Sequence, residues 1–212
     1  MFHKVGRTFL RPIYDQKYSR DGSIGPQLRI ALLWWRRALQ QDLSETHAWD
    51  TGSVPPAHLF VDARGEPARC AAVLFDGFSW LYTDGAPSER VMANFKARSD
   101  SQIMGLEMVA ISLGLSTFAP RLRNRKVIVH SDNKGAEGAT RKAMAKEWDH
   151  CKIAHEIWSL ALANKMHLWI TRVASKDNIS DSPSREDYGL MQALEAKFVA
   201  PVVAQCLFEG LE

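Results

Sequence analysis

Cysteine is scarce in this chain of 212 residues. Cys70, Cys151 and Cys206 are the full set, and no Cys-x-x-Cys pair occurs. A disulfide framework and a thiolate zinc site are thereby excluded, and reduced thiols in an intracellular protein, cytoplasmic or nuclear, are expected. No apolar run reaches the roughly 20 residues that span a bilayer, so no membrane partner is expected. Met1 to Arg7 is basic but lacks the apolar stretch of a secretory signal. There is no internal repeat and no low-complexity tract. Net charge is only +3, and its excess is local: residues 1–50 hold eight Lys/Arg against five Asp/Glu, and the rest is balanced. The cluster Arg7, Arg11, Arg29, Arg36 and Arg37 is suited either to phosphate contacts or to a solvated helix face.

What is present is an ordinary globular composition, 46% apolar and 24% charged, patterned as mixed α/β. Residues 1–25 read as irregular, broken by Gly6, Pro12, Gly22 and Gly25. Leu28, Leu32, Trp35 and Leu39 form a helical stripe over 27–43. Trp34 and Trp35 are adjacent, so one of them is expected to pack on a neighbouring domain. Thr51 to Pro56 reads as a linker, dividing a segment 1–54 from a domain 55–212. Three short runs rich in strand formers, 58–63, 69–75 and 78–83, are separated by turn residues and predict an antiparallel meander. A helix follows over 101–117, with N-caps in Ser99-Asp100-Ser101. A fourth strand is predicted at 126–131, helices at 135–145 and 147–164, and a fifth strand at 167–173. Residues 185–209 read as a helix interrupted at Pro201. Strand, helix, strand favours a parallel crossover, so the expected fold is a five-stranded mixed sheet flanked by helices.

Four carboxylates stand out by position. Asp62 lies in the first strand, where an uncompensated charge among apolar neighbours is costly. Glu107 borders the apolar face of the 101–117 helix and points toward the sheet. Asp132 ends the fourth strand, where α/β folds build sites. Asp181 precedes Ser182-Pro183, in a loop or the first turn of the last helix. Taken singly, each is more simply a turn, surface or cap residue. Gathered, they would repel one another and call for hard divalent cations, two of which fit between such acids roughly 4 Å apart. His130 shares a face with Asp132, but core packing explains it as well. His150 and His155 are poorly spaced for a shared helical metal site. Trp148 and Trp158 read as core.

Several strings carry a resemblance. Val61-Asp62-Ala63, Gln102 through Glu107 to Ala110, Val129-His130-Ser131-Asp132-Asn133, and Asn178-Ile179-Ser180-Asp181-Ser182-Pro183-Ser184-Arg185 are similar, in this order, to the motifs of the ribonuclease H family, over about residues 57–195. The last string resembles a retroelement signature. Gly6 to Pro12 with the Trp34-Trp35 helix resembles the connection joining polymerase to ribonuclease H in retrotransposons of the tyrosine-recombinase, DIRS-like type, fungal ones included. The resemblance implies a ribonuclease H-like fold and endonucleolytic cleavage of the RNA strand of RNA–DNA hybrids with two Mg²⁺ or Mn²⁺ ions. Asp62, Glu107, Asp132 and Asp181 would be ligands and catalytic residues. Asn133, Ser101 and Gln102 would contact the hybrid through its 2′-hydroxyls.

Departures are also legible. Arg64 replaces the small residue usual after the first motif and is expected near the metals, gripping phosphate or hindering the site. Ala174 to Asp177 lacks the histidine that many members carry. No basic insertion lies between 145 and 150, and no Tyr-x-Asp-Asp polymerase motif occurs, so a polymerase domain would belong to a parent polypeptide. Position 64 is not the Glu of proofreading exonucleases, and the second acid in chain order, Glu107, does not fit integrases. The alternative reading is a catalytically silent module that binds nucleic acid or docks on a polymerase.

Overall fold

Residues 4–19, 22–41, 54–97, 99 and 102–202 are described by a computed structural model. Ser101, Cys206 and the linker residues 51–53 lie outside them. The chain opens with a 3-10 helix, Val5–Leu10, followed by α1 (Arg11–Lys17) and α2 (Pro26–Gln40). Residues 5–17 are therefore ordered helix and not irregular. Pro12 sits in the first turn of α1, where its missing N–H is no loss. Gly6 lets α2 approach closely, since a Cβ there would lie 2.7 Å from the Trp35 ring. Both tryptophans are used in this small core: Trp34 stacks on Phe9 at 4.5 Å between centroids, and Trp35 meets Trp34 edge-on at 5.0 Å. Trp34 also packs on the main core and meets His155 edge-on at 6.0 Å, so one of the pair does pack beyond its own segment, as expected. Thr8 Oγ1 donates to Ala143 O and Cys151 O, which fastens this segment to the rest.

Three strands follow, β1 (Ala57–Arg64), β2 (Arg69–Phe75) and β3 (Trp80–Gly85). They form the expected meander. The third starts two residues later than its pattern suggests. Asp76 Oδ1 accepts from the N–H of Phe78 and of Ser79, and Gly77 takes φ +93, so the turn extends through Ser79. Then come α3 (Glu89–Ala93), α4 (Ile103–Thr117), α5 (Ala119–Leu122), β4 (Lys126–Ser131), α6 (Lys134–Lys142), α7 (Trp148–Ala163) and β5 (His167–Arg172). In place of a helix over 185–202 there are α8 (Asp181–Ser184), α9 (Gly189–Ala193) and β6 (Lys197–Phe198), and the rest of the expected helix, 203–209, lies outside the described residues. Glu186 and Glu195 adopt positive φ, which ends each helical turn.

The result is an α/β protein with a mixed sheet of six strands among the described residues, not five, in the order β5-β4-β1-β2-β3-β6. β4 lies parallel to β1 and β5 parallel to β4. One sheet face, formed by Leu59, Val61, Ala72, Leu74, Val127 and Val129, packs on the buried residues of α4 and α7. Each fully buried Leu or Ile there contributes about 1.5–3 kcal/mol. The α4 contact is close at Gly114, where a Cβ would stand 2.9 Å from Ala72 Cβ and 3.0 Å from Leu59 Cδ1. Gly114→Val should therefore lower stability by about 1–3 kcal/mol, and the melting temperature by several degrees in thermal circular dichroism. No described helix is long and apolar enough to cross a membrane.

Candidate metal centre

Strand alternation puts His58, Phe60, Asp62 and Arg64 on the face opposite Leu59 and Val61. Asp62 is nevertheless buried, because α8 folds back over the end of β1. That fold-back is built from the string Asn178 to Arg185. Asn178 Nδ2 donates to Val61 O at 3.0 Å, and Ser180 Oγ donates to Asn178 Oδ1 at 2.7 Å. Ser184 Oγ donates to Asp62 Oδ2. Arg185 Nε donates to Asp181 Oδ1 at 2.8 Å.

Glu107 sits inside α4, 3% exposed as a residue, at the end of the sheet near β1 and β4. The Ala63 N–H and the Ser131 hydroxyl favour its ionised form, while Oε2 has no hydrogen-bond partner among the described residues. Asp132 follows the last residue of β4 and is half-buried. Each of these three acids offers an oxygen within 4.8 Å of the others. The strand, the helix and the strand end singled out by sequence thus bring Asp62, Glu107 and Asp132 to one place.

Electrostatics follow from that crowding. Burial, and then the charges of Asp62 and Asp132, push Glu107 up from an ordinary 4.5 to about 9. Burial raises Asp62 to about 6. The Ser184 hydrogen bond opposes the rise, and the charges of Asp132 and Asp181 add to it. Without a cation, three ionised carboxylates at this separation are unfavourable. An orphaned buried carboxylate oxygen facing two further acids is the donor set that Mg²⁺ or Mn²⁺ takes, all oxygen and partly enclosed. The residues present fit such an ion.

The remaining expected site residues have other employment. Asp181 lies near enough to act on Asp62, but it is outside the three that share the 4.8 Å cluster and is paired with Arg185. Arg64 is turned to the C-terminal segment: its guanidinium pairs with Glu186 at 3.0 Å and donates to Pro67 O at 3.1 Å. Asn133 caps α6, its Oδ1 accepting from Gly135 and Ala136, which leaves only its amide NH₂ for a ligand. Gln102 is the N-cap residue of α4, at φ 64, and its side chain donates to Lys96 O. Gln102 makes no side-chain cap hydrogen bond, and Asp100 and Ser101, expected as caps, lie outside the described residues. His130 is no member of the cluster. It stacks between Phe60 and His58, and burial lowers it to about 4.

Two contributing residues escaped the sequence reading. Ser184 holds Asp62 by a hydrogen bond, and the Ser131 hydroxyl favours the ionised form of Glu107. The signal for Ser184 was its place three residues after Asp181, on the same face of a short turn. For Ser131 it was strand alternation, which buries it between Asp132 and the inward-facing Val129. No protein-family model and no curated protein matches the chain.

Proposed function

We propose that this protein is a ribonuclease H-like nuclease that hydrolyses the RNA strand of RNA–DNA hybrids. The observation that carries this reading is the meeting of Asp62, Glu107 and Asp132, from a strand, a helix and a strand end, around an unpartnered Glu107 oxygen. The sheet supports it as well: a three-stranded meander with β4 and β5 added in parallel fits the five-stranded core that the resemblance implies, with β6 as an extra edge. Asp62, Glu107 and Asp132 would hold Mg²⁺ or Mn²⁺, and Asp181 would join them on release from Arg185. When bound, such ions supply the Lewis acidity that stabilises phosphodiester hydrolysis.

The protein's own part is placement. Ser184 fixes the direction in which Asp62 presents its oxygens, and the Ser131 hydroxyl favours the ionised form of Glu107. Burial keeps the carboxylates in a low dielectric, where their charge acts strongly on a cation. The Asn133 amide can donate to a 2′-hydroxyl, the group that distinguishes RNA from DNA. Arg185, already at the rim, is positioned for a phosphate. As an element-derived protein, the chain would work beside a polymerase domain of a parent polypeptide, in the cytoplasm or nucleus.

The test is incubation with labelled RNA–DNA hybrid, double-stranded RNA and duplex DNA, each with Mg²⁺, Mn²⁺ or chelator. Cleavage confined to the RNA of the hybrid, and lost in chelator, is expected. Metal-dependent cleavage of duplex DNA alone would overturn the substrate assignment. Ser184→Ala should shift the Mg²⁺ concentration for half-maximal cleavage upward by roughly 10-fold, while saturating Mg²⁺ restores most of the rate. An unchanged metal titration would remove Ser184 from the site.

A further inference from the structure

At the other end of β4 from the carboxylates lies a cleft of about 740 Å³, formed by the start of β4, the start of β5, α7 and the N-terminal 3-10 helix. Lys4, Arg7 and Lys126 contribute three cations, and His167, Trp158 and Trp169 contribute rings. Among the described residues, no Asp or Glu lines it. Lys4 lies over the Trp158 ring at 4.7 Å and donates to Arg141 O. Burial, together with the charges of Arg7 and Arg141, pulls its ammonium below the usual range, as expected where positive charges crowd without an anion. Arg7 and Lys126 are exposed. Trp169 is 70% exposed although it is the largest side chain on β5. A large ring left in water beside three cations, with no acid among the described lining residues, is a poor arrangement for stability alone.

The cleft is connected to the acids. Lys126, Ile128 and His130 alternate onto one side of β4, Asp132 follows at the strand's end, and Trp169 and Thr171 stand beside Ile128 and His130 on β5. From Lys126 to Asp132 this path is about 20 Å long at the rise of a strand. A few nucleotides span that distance. An exposed indole accepts an unpaired base by stacking, and flanking cations accept its phosphates, the combination used by single-strand binding surfaces. A duplex presents no free base face to Trp169, so the occupant is single-stranded.

We propose that this cleft binds a single-stranded nucleic-acid segment, with a base on Trp169 and phosphates on Arg7 and Lys126. The identity of the strand, one that continues from the cleaved hybrid, rests on the nuclease reading. Binding itself needs neither metal nor cleavage.

The experiment measures fluorescence anisotropy of a labelled 12-nucleotide oligothymidylate with the full chain in chelator, over a range of salt. Wild type should bind, and Trp169→Ala should weaken binding by about 10-fold or more, with Trp169→Phe recovering most of it. Arg7→Gln and Lys126→Gln should each reduce the slope of log K against log salt by about 0.7. Because Trp169, Arg7 and Lys126 are exposed, these variants should melt like wild type, so lost binding reads the cleft and not the fold. Absence of binding, or equal affinity in Trp169→Ala and wild type, would overturn the proposal. So would displacement by inorganic phosphate or a mononucleotide at the concentration of oligonucleotide that achieves it, since that marks a site for a small anion. Hybrid cleavage without oligonucleotide binding would sink the cleft alone. Oligonucleotide binding without hybrid cleavage would sink the nuclease reading alone.

Discussion

Asp132→Asn is expected to reduce cleavage of an RNA–DNA hybrid by roughly 10³-fold or more, with the melting temperature unchanged or slightly raised. The substitution keeps shape and volume and removes one charge. No hydrogen bond holds the Asp132 side chain among the described residues, so the fold loses no polar partner. Its charge raises both Asp62 and Glu107 toward the neutral form, so neutralising it relieves repulsion in the metal-free protein. Cation binding, by contrast, loses one of three converging anionic oxygens. The two readouts therefore move in opposite directions, which a merely structural acid would not produce. Gel-resolved cleavage and thermal melting of the same preparations decide the matter. Wild-type turnover in the variant would leave the proposed centre without its central ligand.

These acids were legible because each obeys a local rule. Asp62 alternates with Val61 and Ala63, Glu107 falls on the inward side of an apolar helix, and Asp132 ends a strand. Strand alternation and helix periodicity are written in sequence, and the order of the elements constrains how they meet. Asp181 shows where local rules stop. Its position before Ser182-Pro183 left a loop and a helix start both open, and it is the first residue of α8; the pairing with Arg185 was equally available from their four-residue spacing. Arg64 shows the larger limit. Its partner Glu186 lies 122 residues away, and nothing near Arg64 announces it. The same segment carries Tyr188, whose hydroxyl donates to Asp84 beside Arg69, so a network of side chains pins residues 186–188 to the strands. That network, with positive φ at Glu186 and Glu195, replaces over 185–202 the helix that composition alone suggests for 185–209. A glutamate carries no sequence mark of left-handed backbone, so tertiary contacts decided these positions. β6 likewise exists only through its pairing with β3.

Glu107→Gln should separate stability from activity more sharply still. In the metal-free native state Glu107 is raised to about 9, whereas in the unfolded chain it titrates near its ordinary 4.5. Below about pH 4.5 the group is protonated in both states and affects nothing. Between 4.5 and 9 the unfolded chain releases its proton while the native state retains it, so native stability falls as pH rises through this window and levels off above it. Asp62 adds a smaller loss of the same sign between 3.8 and about 6. Gln has no proton to release, so the variant should escape the Glu107 part of the decline. At pH 8 in chelator it should be more stable than wild type by roughly 1–3 kcal/mol, a gain of several degrees in melting temperature. Millimolar Mg²⁺ should reverse the order. Cation binding to the native state stabilises wild type increasingly toward pH 9, because the site must ionise to receive it, and it should leave the variant nearly unmoved. Cleavage by the variant should be lost at every pH. Melting curves at pH 5, 7 and 9, with Mg²⁺ and with chelator, test each part. If wild type and variant respond alike to pH and to Mg²⁺, then Glu107 is a buried structural acid, and its unpartnered oxygen signifies no cation.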